Sequence, residues 1–222
     1  MITLNAISSS PFLLALEPYH AMCNYIAGHM QPTDFSENGD GHPVLVIPGL
    51  GSSGAATADL RIRLQQLGYV TYDWKQGVNT GHGFDLERWL LLLTDQVEAI
   101  TDQHTATVSV IGWSLGGIYA RELARRCPDL IRQVITLATP FSVADLSHYQ
   151  GGSRFVRSTS IYSQTDGIVN WEMCKAPESG EHRNIEVQGV SHFGMVHHPA
   201  ILNILAQLLK EPATTFNADV QV

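Results

Sequence analysis

Cysteine is scarce in this chain. Its three residues, Cys23, Cys127 and Cys174, are odd in number and widely separated, which excludes a disulfide framework and C-x-x-C metal spacing. Positive charge is scarce as well. Lys and Arg number 13 against 21 Asp and Glu, the formal charge is −8, and no basic run occurs, so neither nucleic acid nor an anionic membrane is expected as the main partner. Long apolar runs are missing: nothing approaches the ~20 residues of a membrane span, and Leu90 to Leu93 is flanked by Arg88 and Asp95. The first residues lack a positive n-region and a small-residue cleavage site, and they run directly into Glu17, Pro18 and His20. Together these absences predict a cytoplasmic protein with no integral membrane segment and a small or neutral ligand. They leave the oligomeric state open.

What is present is enough apolar sequence for one sizeable core, 44% over 222 residues. A single domain over 1–222 is expected, with a helical segment and loop over 1–42 and a tail over 212–222 that frays. Short β-branched runs recur at Val44 to Ile47, Val70 to Tyr72, Val108 to Ile111, Val134 to Leu137, Ser158 to Tyr162 and Ile185 to Val187. Between the second and third, Leu86, Trp89, Leu90, Leu93, Val97 and Ile100 recur at helical spacing behind Asp85, a candidate N-cap. Leu60, Leu64 and Leu67 precede Gly68 as a C′ glycine, a helix from about Ile118 is stopped by Pro128, and Pro199 opens a last helix. Strands alternating with helices call for a sheet of about six parallel strands covered on both faces.

One segment carries chemistry. Gly112-Trp113-Ser114-Leu115-Gly116-Gly117 follows the third strand and opens a helix, which is G-x-S-x-G in the strand, turn, helix context of a nucleophile elbow. A serine hydroxyl needs a histidine base oriented by a carboxylate, and on such a sheet these follow in the order Ser, Asp/Glu, His. Asp166 lies after the fifth strand and His192 after the sixth, both at the carboxyl edge where open parallel sheets place their active groups. Pro48-Gly49-Leu50-Gly51 ends the first strand, so the backbone N–H groups of Leu50 and Leu115 form a candidate oxyanion hole.

The rivals are weaker. His197 and His198 stand against Pro199 at a helix start, where histidines cap or face solvent, and Asp145 falls in the stretch where cap residues are inserted. His20, His29, His42, His82, His104, His148 and His182 match no metal-ligand spacing and read as surface or loop histidines, so no metal site and no cofactor is expected. Trp113, Phe141, Trp171, Met173, Phe193 and Met195 are divided between core and acyl pocket. About twenty residues separate Leu137 from Ser158, too few for a large lid. The site is therefore expected to be open, unless the apolar N-terminal residues Phe12 to Leu16 fold over it.

PGLG, GWSLGG, Thr139-Pro140, SQTDGIV and SHFGM, spread over residues 44 to 198, together resemble the bacterial lipase/esterase branch of the α/β-hydrolase family. That resemblance implies a minimal α/β-hydrolase fold with a short cap and a carboxylic ester as small-molecule substrate. It also implies Ser114 as nucleophile, Asp166 as acid, His192 as base, and Leu50 with Leu115 as oxyanion donors. Thioester hydrolysis and acyl transfer use the same constellation, and a catalytically silent binding protein of the same fold is the alternative of another class. The chain departs from the family's pattern in two places. Pro48-Gly49 replaces the family's His-Gly pair, and the early antiparallel strands are missing.

Overall fold

In a computed structural model of the chain, described over residues 10–30, 39–81, 86–141, 156–176 and 182–212, six strands form one sheet. They are β1 (Pro43–Ile47), β2 (Val70–Asp73), β3 (Val108–Trp113), β4 (Ile131–Leu137), β5 (Ser158–Tyr162) and β6 (His182–Glu186). Their order is β2-β1-β3-β4-β5-β6 and every neighbouring pair is parallel. The helices are α1 (Pro11–Met30), α2 (Ala58–Gln66), α3 (Leu86–His104), α4 (Leu115–Arg126) and α5 (Pro199–Lys210). This is the six-stranded parallel core expected from the alternation of strands and helices, and it agrees with the minimal α/β-hydrolase fold that the motif resemblance implied. None of these helices is long and apolar enough to cross a membrane.

Each central strand feeds two cores because successive side chains point to opposite faces. Val44 and Val46 join α2 and α5 on one side, through Leu60, Leu64, Leu202 and Leu205. Leu45 and Ile47 join α3 and α4 on the other, through Leu93, Val97, Tyr119 and Leu123. The expected caps act as read. Gly68, at φ +95, lets its N–H reach Gln65 O at 2.9 Å and that of Tyr69 reach Leu64 O at 3.1 Å, a Schellman ending to α2. Pro199 lies in the first turn of α5, and His198 caps it by accepting from the Ala200 N–H at 3.2 Å.

Three expectations are corrected. The last strand occupies His182–Glu186 rather than Ile185 to Val187, because β6 is an edge strand, buried mainly at His182, and its polar sequence shows no apolar run. β2, the other edge, is likewise not buried on both faces. Helix α4 begins at Leu115, directly after the serine, three residues before the apolar pattern starts at Ile118. Asp85, His82, Asp145, His148 and the cap stretch 142–155 lie outside the described residues.

Candidate functional site

The candidate residues Leu50, Ser114, Asp166 and His192 follow the carboxyl ends of β1, β3, β5 and β6. Ser114 stands between β3 and α4 with φ 54 and ψ −123, a conformation that side-chain-bearing residues rarely adopt. Three bonds hold it there. Its N–H donates to Leu137 O at 2.8 Å, and its carbonyl accepts from the Gly117 N–H at 3.0 Å and from Thr139 Oγ1 at 2.9 Å. The elbow admits no side chain at its flanks. A Cβ on Gly112 would lie 2.3 Å from Gly117 Cα, and one on Gly116 would lie 2.4 Å from Ile47 O.

Asp166 and His192 meet. Asp166 Oδ2 faces His192 Nδ1 at 2.8 Å, and Oδ1 accepts the N–H groups of Ile168 and Val169, each at 2.8 Å. Both side chains are almost fully buried, at 2% for Asp166 and 4% for His192. A carboxylate facing Nδ1 calls for the proton there and leaves Nε2 as the lone-pair nitrogen. The loop that carries His192 is tied to the elbow by Trp113, whose indole N–H donates to the His192 carbonyl at 3.1 Å.

The loop after β1 lies against the same serine, since a Cβ on Gly49 would come 3.1 Å from Ser114 Cβ. Leu50 is exposed at the tip of a turn closed by the Ser52 hydroxyl and N–H on Gly49 O, at 2.7 and 3.2 Å. Leu115 is the first residue of α4, and the first N–H groups of a helix have no intrahelical acceptor. Asn79, which the sequence did not single out, braces this loop. Its Nδ2 donates to Pro48 O at 2.8 Å, its backbone N–H to Ser52 O at 2.7 Å, and its carbonyl accepts from the Gly51 N–H at 2.7 Å. Its Oδ1 accepts from the hydroxyl of Tyr119 at 3.4 Å, whose pKa burial raises to about 12. An Asn between Val78 and Thr80 carries no motif, so only the fold reveals its use.

The other histidines divide. His197 packs between Asp59 and Tyr25, and His198 caps α5, so neither is brought to Asp166. His42 and His182 are not the loop or surface residues expected: both are buried. His42 Nε2 lies 2.8 Å from Ser109 Oγ, with its other nitrogen on Asp40, and His182 Nε2 lies 3.1 Å from Ser160 Oγ. Their serines sit inside β3 and β5, closed to any substrate, so these pairs satisfy polar groups in the core. Among the aromatic and sulfur candidates, Trp113, Phe141 and Met195 are core, whereas Phe193 is exposed beside His192.

Burial and the nearby Arg121 guanidinium lower the His182 pKa to about 4, so its neutral form is favoured in the fold. The unfolded imidazole, near 6.5, binds the proton more readily, and stability contributed by this group is present above that value and lost as pH falls toward 4. Between pH 7 and pH 5 the wild type should lose about 2 kcal/mol through this residue. Urea unfolding at the two pH values should show a smaller loss in His182→Gln; equal losses would count against a neutral buried imidazole.

Known proteins resemble this chain in three ways. Residues 38–197 match the model of the PGAP1-like alpha/beta domain. The pimeloyl-[acyl-carrier protein] methyl ester esterase of Shewanella woodyi is 31% identical over 101 residues, 46% of this chain and 37% of that protein. The Aliivibrio fischeri enzyme of the same name is 28% identical over 49% of this chain and 40% of its own length. The chain thus matches about two fifths of these relatives. Among solved structures, lipase B of Aspergillus fumigatus superposes with a TM-score of 0.62 at 14% identity, covering 85% of this chain and 56% of that one. A Bacillus licheniformis lipase in its mature form gives 0.62 at 15% identity, over 82% and 96%. At such identities the structural likeness speaks for the α/β-hydrolase fold, and the family match over most of the chain speaks for descent: this chain belongs to the PGAP1-like α/β domain family.

Proposed function

We propose that the protein is a serine hydrolase that cleaves carboxylic esters through an acyl-enzyme on Ser114. The observation that carries the reading is the buried Asp166–His192 pair at 2.8 Å, tied through Trp113 to a serine on a strained elbow. In this mechanism His192 Nε2 takes the proton of Ser114 Oγ as the oxygen attacks the ester carbonyl. The N–H groups of Leu50 and Leu115 receive the developing oxyanion, each such donor contributing about 3 kcal/mol to the transition state. His192 then returns the proton to the departing alcohol, and Asp166 orients the ring and stabilises its charged form. Water activated by the same imidazole attacks the acyl-enzyme, releasing the acid and restoring Ser114. The relatives that act on a methyl ester of an acyl-carrier-protein conjugate support an ester as the substrate class.

A fluorophosphonate probe tests the reading directly, because it reacts only with an activated serine. The wild type should be labelled stoichiometrically at Ser114 and should hydrolyse members of a p-nitrophenyl ester panel of graded acyl length. A folded wild type that is neither labelled nor active on any ester would overturn the assignment in favour of a binding protein.

A further inference from the structure

Helix α1 is built inside out. Its outer surface carries exposed Phe12, Tyr19, Met22 and Met30, while its sole acidic residue, Glu17, is turned inward and only 2% exposed. A carboxylate loses much hydration on burial and is tolerated only where strong donors replace the water. The donors are two backbone N–H groups: Gly167 to Oε2 at 2.9 Å and Phe193 to Oε1 at 3.1 Å. Gly167 follows Asp166 and Phe193 follows His192. One side chain therefore bridges the two loops that carry the acid and the base.

The bridge is close-fitting. A Cβ on Gly167 would lie 2.5 Å from Leu13 O and 2.8 Å from Glu17 Oε2, so the acid loop rests directly on the helix. Two turns on, Asn24 Oδ1 accepts the Ser191 N–H at 2.8 Å and its Nδ2 donates to Gly189 O at 3.2 Å, which anchors the base loop ahead of His192. All of α1 precedes residue 38, where the family match begins.

We propose that Glu17 is a positioning residue for the ester-cleaving site: its carboxylate spans the acid and base loops and holds Asp166 and His192 in register. The proposal rests on the serine-hydrolase reading given above. It makes α1 a structural part of the active site rather than a lid. A shift of about 1 Å in a reacting group costs on the order of 100-fold in rate, so a bridge between these loops acts on turnover and not on substrate affinity.

The test compares wild type, Glu17→Gln, Glu17→Asp and Arg63→Ala on one p-nitrophenyl ester, with fluorophosphonate labelling rates and denaturant midpoints. The amide turns one acceptor into a donor facing an N–H, and the aspartate is a methylene too short to span both loops. In each, kcat should fall about 10- to 100-fold with KM within about twofold, and labelling of Ser114 should slow by a similar factor. Arg63→Ala removes the guanidinium that donates to Gly28 O at 2.7 Å and loosens α1 at its far end, where Gly28 rests on the His197 carbonyl, while leaving the bonds of Glu17 and Asn24 in place. It should lower the midpoint and leave kcat close to wild type. Folded Glu17 variants with wild-type kcat, or an Arg63→Ala variant with the same loss of kcat, would overturn the role of Glu17 while labelled wild type left the serine-hydrolase reading standing. A wild type that is not labelled would overturn both.

Discussion

Ser114→Ala should lower ester hydrolysis by about 10⁴-fold or more while leaving the fold and its stability close to wild type. The hydroxyl is the attacking atom in the proposed mechanism, and the bonds that hold the elbow run through the backbone of Ser114 and through Thr139, none of which the substitution removes. Ser114→Gly should abolish turnover equally, yet raise stability by about 1 kcal/mol, because it also relieves the Cβ held at φ 54. Steady-state kinetics with denaturant unfolding of the two variants separate these effects. A well-folded alanine variant with wild-type turnover would remove Ser114 from the reaction.

Almost as large an effect is expected at the proposed acid and base, Asp166 and His192. His192→Ala should lose turnover on the order of 10⁴-fold, and Asp166→Asn should approach that loss, since the amide can present a donor to Nδ1 and favour the wrong tautomer. His197→Ala and His198→Ala should keep most activity. His197 is committed to Asp59 and Tyr25, and His198 to the first turn of α5, where losing the cap costs about 1 kcal/mol of stability rather than rate. Turnover of the four variants decides the matter. An active His192→Ala beside an inactive His197→Ala would move the base five residues along the chain.

The contrast among the histidines shows what a linear reading reaches. His192 was legible because a strand, a loop and a helix bracket it in the order a serine nucleophile requires. His42 and His182 were not, since their burial follows from which strand faces they occupy and from serines 67 and 22 residues away. The bounds of β6 were illegible for a related reason: it is last in the order of the described strands and much of its surface is wet, so the apolar pattern that marks a central strand is missing.

Local patterns by themselves determined the parallel six-stranded core, the elbow at Ser114 and the order of the candidate acid and base. Each depends on contacts between near neighbours in the chain: hydrophobic period, capping residues, and glycines where two backbone segments touch. Only the tertiary structure decided what holds those groups in place. Asn79 reaches Pro48 across 31 residues, Trp113 reaches His192 across 79, and Glu17 reaches Gly167 and Phe193 across 150 and 176. A backbone N–H looks the same at every position of a sequence, so which of them meets a side chain from so far away is set by the packing of helices on the sheet. Glu17, the lone acidic residue of the stretch 11–30, was a trace of that arrangement in the sequence, and burial with two donors gives it meaning.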